Sequence, residues 1–133
     1  MKLVLDEEGT QDAQTLWDEA TAVISVVLIL AEAGAALAAA QRLGRIGAGD
    51  LPSVRAELDG YLDETTLVEV GLPLARHAAD LAERHALRGY DAVHLATVLA
   101  IEDADLVVAT WDDALARAAR DEGQLVAPYS APS

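Results

Sequence analysis

The stretch RGYDAVHLATVL, residues 88–99, followed by DLVVATWDD, residues 105–113, decides how the rest of the chain is read. In the first segment apolar residues fall on every side (Ala92, Val93, Leu95, Ala96, Val98, Leu99), which predicts a helix enclosed by protein rather than one resting on a surface. Its first turn nevertheless carries Asp91. Leu106-Val107-Val108-Ala109 reads as a buried parallel strand, and Thr110-Trp111-Asp112-Asp113 places more acid just past its carboxyl end, where open α/β sheets bind ligands. Two acidic points are therefore expected to converge on one edge.

Working outward from this segment, the chain alternates helix and strand. Upstream, Gly71-Leu72-Pro73 opens a helix running to about His85, with Leu74, Ala75, Ala78, Leu81 and Ala82 inward. TTLVEV, residues 65–70, alternates as a strand does, and Asp50-Leu51-Pro52 opens the helix before it, with Asp50 as cap and Pro52 in the first turn. An alanine-rich helix from about Val26 ends at Gly44, and TAVIS, residues 21–25, is a strand. Thr10 is placed to cap a helix over residues 11–20, whose apolar side is Ala13, Leu16, Trp17 and Ala20. MKLVLD, residues 1–6, suits a short strand and the tail of a helix equally well. Downstream come a helix from Asp112 to about Asp121, a last strand over residues 124–127 and a loose tail, PYSAPS. Such βα alternation predicts one domain over residues 1–133, a three-layer α/β/α sandwich with a mostly parallel sheet.

Composition narrows the function. With 23 acidic and nine basic residues the net charge is −14, which argues against a broad electrostatic grip on nucleic acid, because phosphate affinity comes largely from Lys and Arg releasing counterions. A nucleic-acid substrate then requires something that offsets the acid, such as bound divalent metal or a basic partner. The absence of cysteine excludes disulfides and thiolate zinc sites and makes a reducing cytoplasm the natural compartment. No signal peptide is expected. The nearly apolar run over residues 20–40 is interrupted by Ser25 and Glu32, so a strand followed by a helix explains it better than a membrane span.

Taken singly, each acid has a plain structural explanation. Asp91 in a first turn is favoured by the helix dipole and by capping, Asp112 and Asp113 after a strand include a helix cap, and Glu32 suits a polar stripe facing water. Burying Glu32 among Leu28, Ile29, Leu30, Ala33 and Leu37 would instead require a partner or a metal. Taken together, three carboxylate positions near strand–helix junctions form the hard-oxygen set that Mg²⁺ or Mn²⁺ prefers, and such ions activate water in phosphodiester hydrolysis. His94 reads as a packing residue sooner than as a base, Arg88 as the partner of a nearby acid sooner than as a phosphate contact, and His77 and His85 show no ligand spacing.

The strings LRGYDAVHLATVL (87–99) and VVATWDDALARAA (107–119) resemble the C-terminal half of PIN domains, particularly the VapC toxins of bacterial toxin–antitoxin pairs. SVVLILAEAGAALAAAQRLGR (25–45) is similar to the segment carrying that family's second acid, with the Glu at Glu32, and LDEEGTQDAQTLW (5–17) to the stretch after its first strand. The resemblance implies a metal-dependent endoribonuclease that hydrolyses RNA, holds Mg²⁺ or Mn²⁺ on Glu32, Asp91 and Asp112, has Thr110 as a supporting hydroxyl and Asp113 as a weaker fourth acid, commonly dimerises, and is blocked by a cognate VapB-like antitoxin. One departure stands out: the family's first strand ends in an Asp followed by small polar residues, and nothing here matches it. Either the chain begins after that strand, as the GTQDAQTLW match favours, or MKLVLD is the strand and Asp6 the acid, with Glu7-Glu8-Gly9 replacing the small polar residues. The alternative function is accordingly a catalytically incomplete PIN-like protein that acts mainly by binding an antitoxin or by dimerising.

Overall fold

The computed structural model describes residues 10–20, 22–47 and 49–128. Met1–Asp6, on which both accounts of the first strand and its acid depend, and the PYSAPS tail beyond residue 128 lie outside the described residues. The chain divides into two compact units, Met1–Val68 and Glu69–Ser133.

In the first unit, α1 (Thr10–Glu19) leads to β1 (Val23–Val26), α2 (Ile29–Arg42), α3 (Leu51–Asp63) and β2 (Thr65–Val68). The two strands pair in parallel from Val23↔Thr65 to Val26↔Val68, and Val27 N–H extends the ladder to Val68 O at 2.8 Å. Leu37, Ala40 and Ile46 form a small core on which Leu51, Val54 and Leu58 rest. Trp17 meets Tyr61 edge to face at 4.8 Å, an arrangement favoured by the ring quadrupoles. The helix expected over residues 26–44 starts later, at Ile29, because Val26 is fully buried in β1 and Val27-Leu28 make the turn. It stops at Gly44, whose φ of +75° admits the left-handed cap: Arg45 N–H reaches Ala40 O and Gly44 N–H reaches Gln41 O. Asp50 is at the N-cap position of α3 but does not cap it with its side chain. Its backbone is already helical (φ −94°, ψ −16°), whereas a capping side chain needs an extended residue to swing back onto the first N–H groups. Thr10, expected as a cap, is the first residue of α1, and its side chain lies outside the described residues.

In the second unit, α4 (Leu72–His85) packs on α5 (Gly89–Ala100), followed by β3 (Val107–Ala109), α6 (Asp113–Asp121) and β4 (Leu125–Ala127). Leu81, Leu95, Ala96 and Ala119 have no exposed surface, and with Ala78, Leu87, Ala92, Val108, Leu115 and Ala118 they make one core. As its all-round apolar pattern predicts, α5 is the enclosed element, with Ala92, Leu95, Ala96 and Thr97 buried along with Asp91. β3 and β4 pair in parallel from Val107↔Leu125 to Ala109↔Ala127. β3 is not buried on both faces, contrary to its apolar run: Val108 enters the core, while its neighbours Val107 and Ala109 are exposed. Side chains alternate across a strand, and the helices of this unit cover one side of the pair. α6 ends as α2 does, with Gly123 at φ +86° and Gln124 N–H on Ala119 O. α4 closes the same way on an alanine, Ala86, at φ +54°. Among the described residues no helix is long and apolar enough to cross a membrane.

Candidate active site

Asp91 is the third residue of α5, where the free N–H groups of the first turn favour a carboxylate. It is not a cap: no side chain caps α5, whose N-cap residue is Arg88 in extended conformation. Asp91 is instead held by an ion pair. Its Oδ2 accepts from Arg88 Nε at 3.1 Å and lies 3.0 Å from Arg88 Nη2. Although only 7% exposed, the carboxylate therefore keeps a compensating cation, as burial of such a group requires.

Asp112 is the N-cap of α6, with the extended backbone (φ −85°, ψ 120°) that a working cap needs, and its Oδ1 accepts from Leu115 N–H at 2.9 Å. Its own N–H donates to Thr110 Oγ1 at 3.1 Å, and Thr110 N–H donates to Ala127 O at 3.0 Å, continuing the β3–β4 ladder by one residue. Thr110 thus ties the end of the strand to the start of the helix. This chain of bonds leaves Asp112 Oδ2 for a different partner, which is Arg88 Nη2 at 3.3 Å. One guanidinium consequently bridges Asp91 and Asp112, from two helix N-termini on one core. Arg88 pairs with an acid as anticipated; what the spacing concealed is that it pairs with two.

The remaining candidates are placed differently. Asp113 is exposed in the first turn of α6. Glu32 lies in the first turn of α2 and is exposed, so the cost of burying a carboxylate among Leu and Ala, which had singled it out, does not arise. Among the described residues no three or more His, Cys, Asp or Glu side chains gather as a metal-binding group. His94, one turn beyond Asp91, is half-buried with its ring 6.4 Å from that of Tyr90. Burial pushes its imidazole below the usual 6.5, partly opposed by the charge of Asp91. His77 is exposed on α4, whereas His85 has a partner that sequence spacing did not reveal: Glu122 Oε1 takes His85 Nε2 at 2.8 Å and Arg84 Nη1 at 2.7 Å.

Of the three acids named by the sequence resemblance, two, Asp91 and Asp112, are thus held on a common cation past the carboxyl end of β3. The family model for the PIN domain matches residues 1–121. The chain belongs to the PIN domain family. The α/β sandwich expected from the alternating elements is the fold of that family. Two Mycobacterium tuberculosis proteins are similar along nearly the whole length: Ribonuclease VapC45 (strain CDC 1551 / Oshkosh) and Ribonuclease VapC49 (strain ATCC 25618 / H37Rv). Each is 41% identical over 128 residues, 96% of this chain and 89% of the relative. In this PIN domain the expected C-terminal acids, Asp91 and Asp112, are the ones brought together.

The donor chemistry of this pair suits a divalent ion. Carboxylate oxygens are the ligands Mg²⁺ and Mn²⁺ favour, and two carboxylates meet here on the Arg88 guanidinium, with no third ligating side chain beside them among the described residues.

Proposed function

We propose that this chain is a divalent-metal-dependent endoribonuclease toxin of the VapBC type. The observation that carries the reading is the convergence of Asp91 and Asp112 on one cation past the end of β3, in a chain whose relatives are named ribonucleases. Asp91 and Asp112 are its catalytic and metal-holding acids, and Glu32 joins them by its position in the family motif. Thr110 is the supporting hydroxyl, and Asp113 is the weaker fourth acid. When bound, Mg²⁺ or Mn²⁺ supplies a water activated for attack and offsets charge on the phosphodiester. The chain supplies orientation. Leu115 N–H fixes Asp112 Oδ1, Thr110 fixes the Asp112 backbone, and Arg88 holds the buried Asp91 at Oδ2. RNA is the substrate, a VapB-like antitoxin the inhibitory partner, a homodimer the assembly and the cytoplasm the compartment.

Calorimetric titration with Mn²⁺, beside the Asp91→Asn variant, tests the reading. Binding and RNA cleavage by the parent chain, both absent from a folded variant, support it; retention of both by the variant overturns it. A second reading, a PIN protein that acts mainly by binding an antitoxin or dimerising, is favoured by one observation: no group of three or more metal-ligating side chains is assembled among the described residues. It predicts antitoxin binding without Mn²⁺ binding.

A further inference from the structure

Helix α6 is tied at both ends to one short segment of chain. Its N-cap, Asp112, meets Arg88 at 3.3 Å, and its C-cap, Glu122, takes Arg84 at 2.7 Å and His85 at 2.8 Å. Between the two ties, residues 84–86 and the facing side of α6 leave a cleft of about 280 Å³. Pockets for small molecules run upward from roughly 300 Å³, so the cleft suits a group the size of one nucleotide and is too small for a partner helix. Ala114, Arg117 and Asp121 succeed one another along its α6 wall at helical spacing. One end adjoins the acid pair: Ala86 stands two residues before Arg88, and Ala114 two after Asp112.

The polar lining favours an anion. In a chain of net charge −14 with nine basic residues, two arginines gather here with His85. Arg84 gives Nη1 to Glu122 Oε1, which fixes the guanidinium and leaves Nε and Nη2 as donors. Arg117 has no ion pair among the described residues. Asp121, the carboxylate of the lining, stands a turn further from Asp112 than Arg117 does, so an anion is drawn toward the Ala114 end.

We propose that this cleft is a phosphate subsite for the RNA backbone: Arg117, with Arg84 on the opposite wall, binds the phosphate next to the scissile one. The inference rests on the ribonuclease reading above and not on how a metal is held. An α-helix rises about 1.5 Å per residue, so Arg117 lies about 7.5 Å along α6 from Asp112, a step that one nucleotide of a single strand spans. Guanidinium groups match phosphate oxygens with paired N–H donors. Such contacts read no sequence, yet they fix the register of a strand, and here they would set which phosphate faces the acids.

The test is NMR titration of the full chain with a mixed-sequence single-stranded RNA hexamer in EDTA, at several salt concentrations, comparing the parent with Arg117→Gln and Arg120→Gln. Arg120 is exposed on α6 outside the cleft, so its loss changes the net charge equally without touching the subsite. Amide signals of Ala86, Ala114 and Arg117 should move with RNA in the parent, which tests the proposal even if a variant fails to fold. Arg117→Gln should weaken binding about tenfold and lower the slope of log affinity against log salt by about one. Arg120→Gln should stay near the parent in both. RNA binding that leaves the cleft signals still, or equal weakening by the two variants, overturns the subsite while the ribonuclease reading stands. No RNA binding in EDTA also overturns the subsite alone, since RNA cleavage with Mn²⁺ tests that reading separately. Movement of the same signals by inorganic phosphate or an oligoglutamate peptide, but not by RNA, assigns the cleft to a free anion or an acidic partner and overturns the proposal.

Discussion

Asp112 performs two jobs with two oxygens, and a pair of substitutions separates them. Oδ1 caps α6 through Leu115 N–H at 2.9 Å; Oδ2 faces Arg88 at 3.3 Å and, in the proposed function, the metal. Asp112→Asn keeps a side-chain oxygen for the cap and removes the charge. The lost ion pair joins groups 79% and 37% exposed, so solvent screens it and the stability change should be a few tenths of a kcal/mol. Asp112→Ala removes the cap as well, at about 1 kcal/mol. For a chain of 133 residues, with an unfolding entropy of about 2.1 cal/mol/K per residue, that corresponds to a melting point lowered by roughly 3–4 °C. Both variants should lose Mn²⁺ binding and RNA cleavage to the same extent. Thermal melts in EDTA read the first effect and calorimetry with Mn²⁺ the second. Equal destabilisation by Asn and Ala would refute the capping role, and Mn²⁺ binding that survives in either variant would remove Asp112 from the metal site.

Three further outcomes are expected. Ala86→Gly should stabilise the protein by about 0.5–1 kcal/mol, measured by urea denaturation, because Ala86 closes α4 at φ +54°, where a Cβ is strained and glycine is not; an unchanged or lower midpoint would contradict this. Glu122 has its carboxyl held below the ordinary 4.5, first by the hydrogen bond to His85 and then by that to Arg84. A carboxyl depressed by folding contributes stability above its unfolded value and loses it as pH falls through the folded one, so stability should drop as pH is lowered below about 4.5, and Glu122→Gln should flatten that part of the profile. Asp91→Asn should melt within a few degrees of the parent, as Arg88 retains Asp112 and the amide remains a hydrogen-bonding partner, although Mn²⁺ binding is lost; collapse of the fold would mark Asp91 as structural.

What could be read from the sequence follows from how local each cause is. The enclosure of α5 and the cap at Asp112 rest on residues within a turn or two of one another, where periodicity and cap chemistry operate directly. The inward side of α4 was equally legible, with Ala78 and Leu81 buried on it. Asp50 has the right residue type for a cap but the wrong backbone, and nothing local marks that it already lies in helical conformation. Val107 belongs to an apolar run that suggests burial on both faces, yet it is 47% exposed, because which face is covered depends on helices distant in sequence. Glu32 drew attention through the expense of burying charge, and its exposure removes that argument while leaving the family motif as its sole support. The bridge from Arg88 had half a signal: Asp91 is three residues on, at ion-pair spacing for a helix, whereas Asp112 is 24 residues away and arrives through the packing of α6.

The same packing explains why the pair of acids is a credible place for chemistry in so acidic a chain. α5 and α6 share a core through Leu95, Ala96, Leu115, Ala118 and Ala119, so the two helix N-termini are set by close-packed side chains rather than by the charges they carry. Two carboxylates held close by a core repel one another, and that repulsion is a standing demand for a cation that relaxation of the backbone cannot relieve. Arg88 meets the demand from the surface with a single charge shared between two anions. An ion of charge two meets it more fully, and it would also supply the positive potential toward phosphate that a net charge of −14 otherwise denies the molecule. The core fixes where the two acids stand, and Arg88 bridges them there.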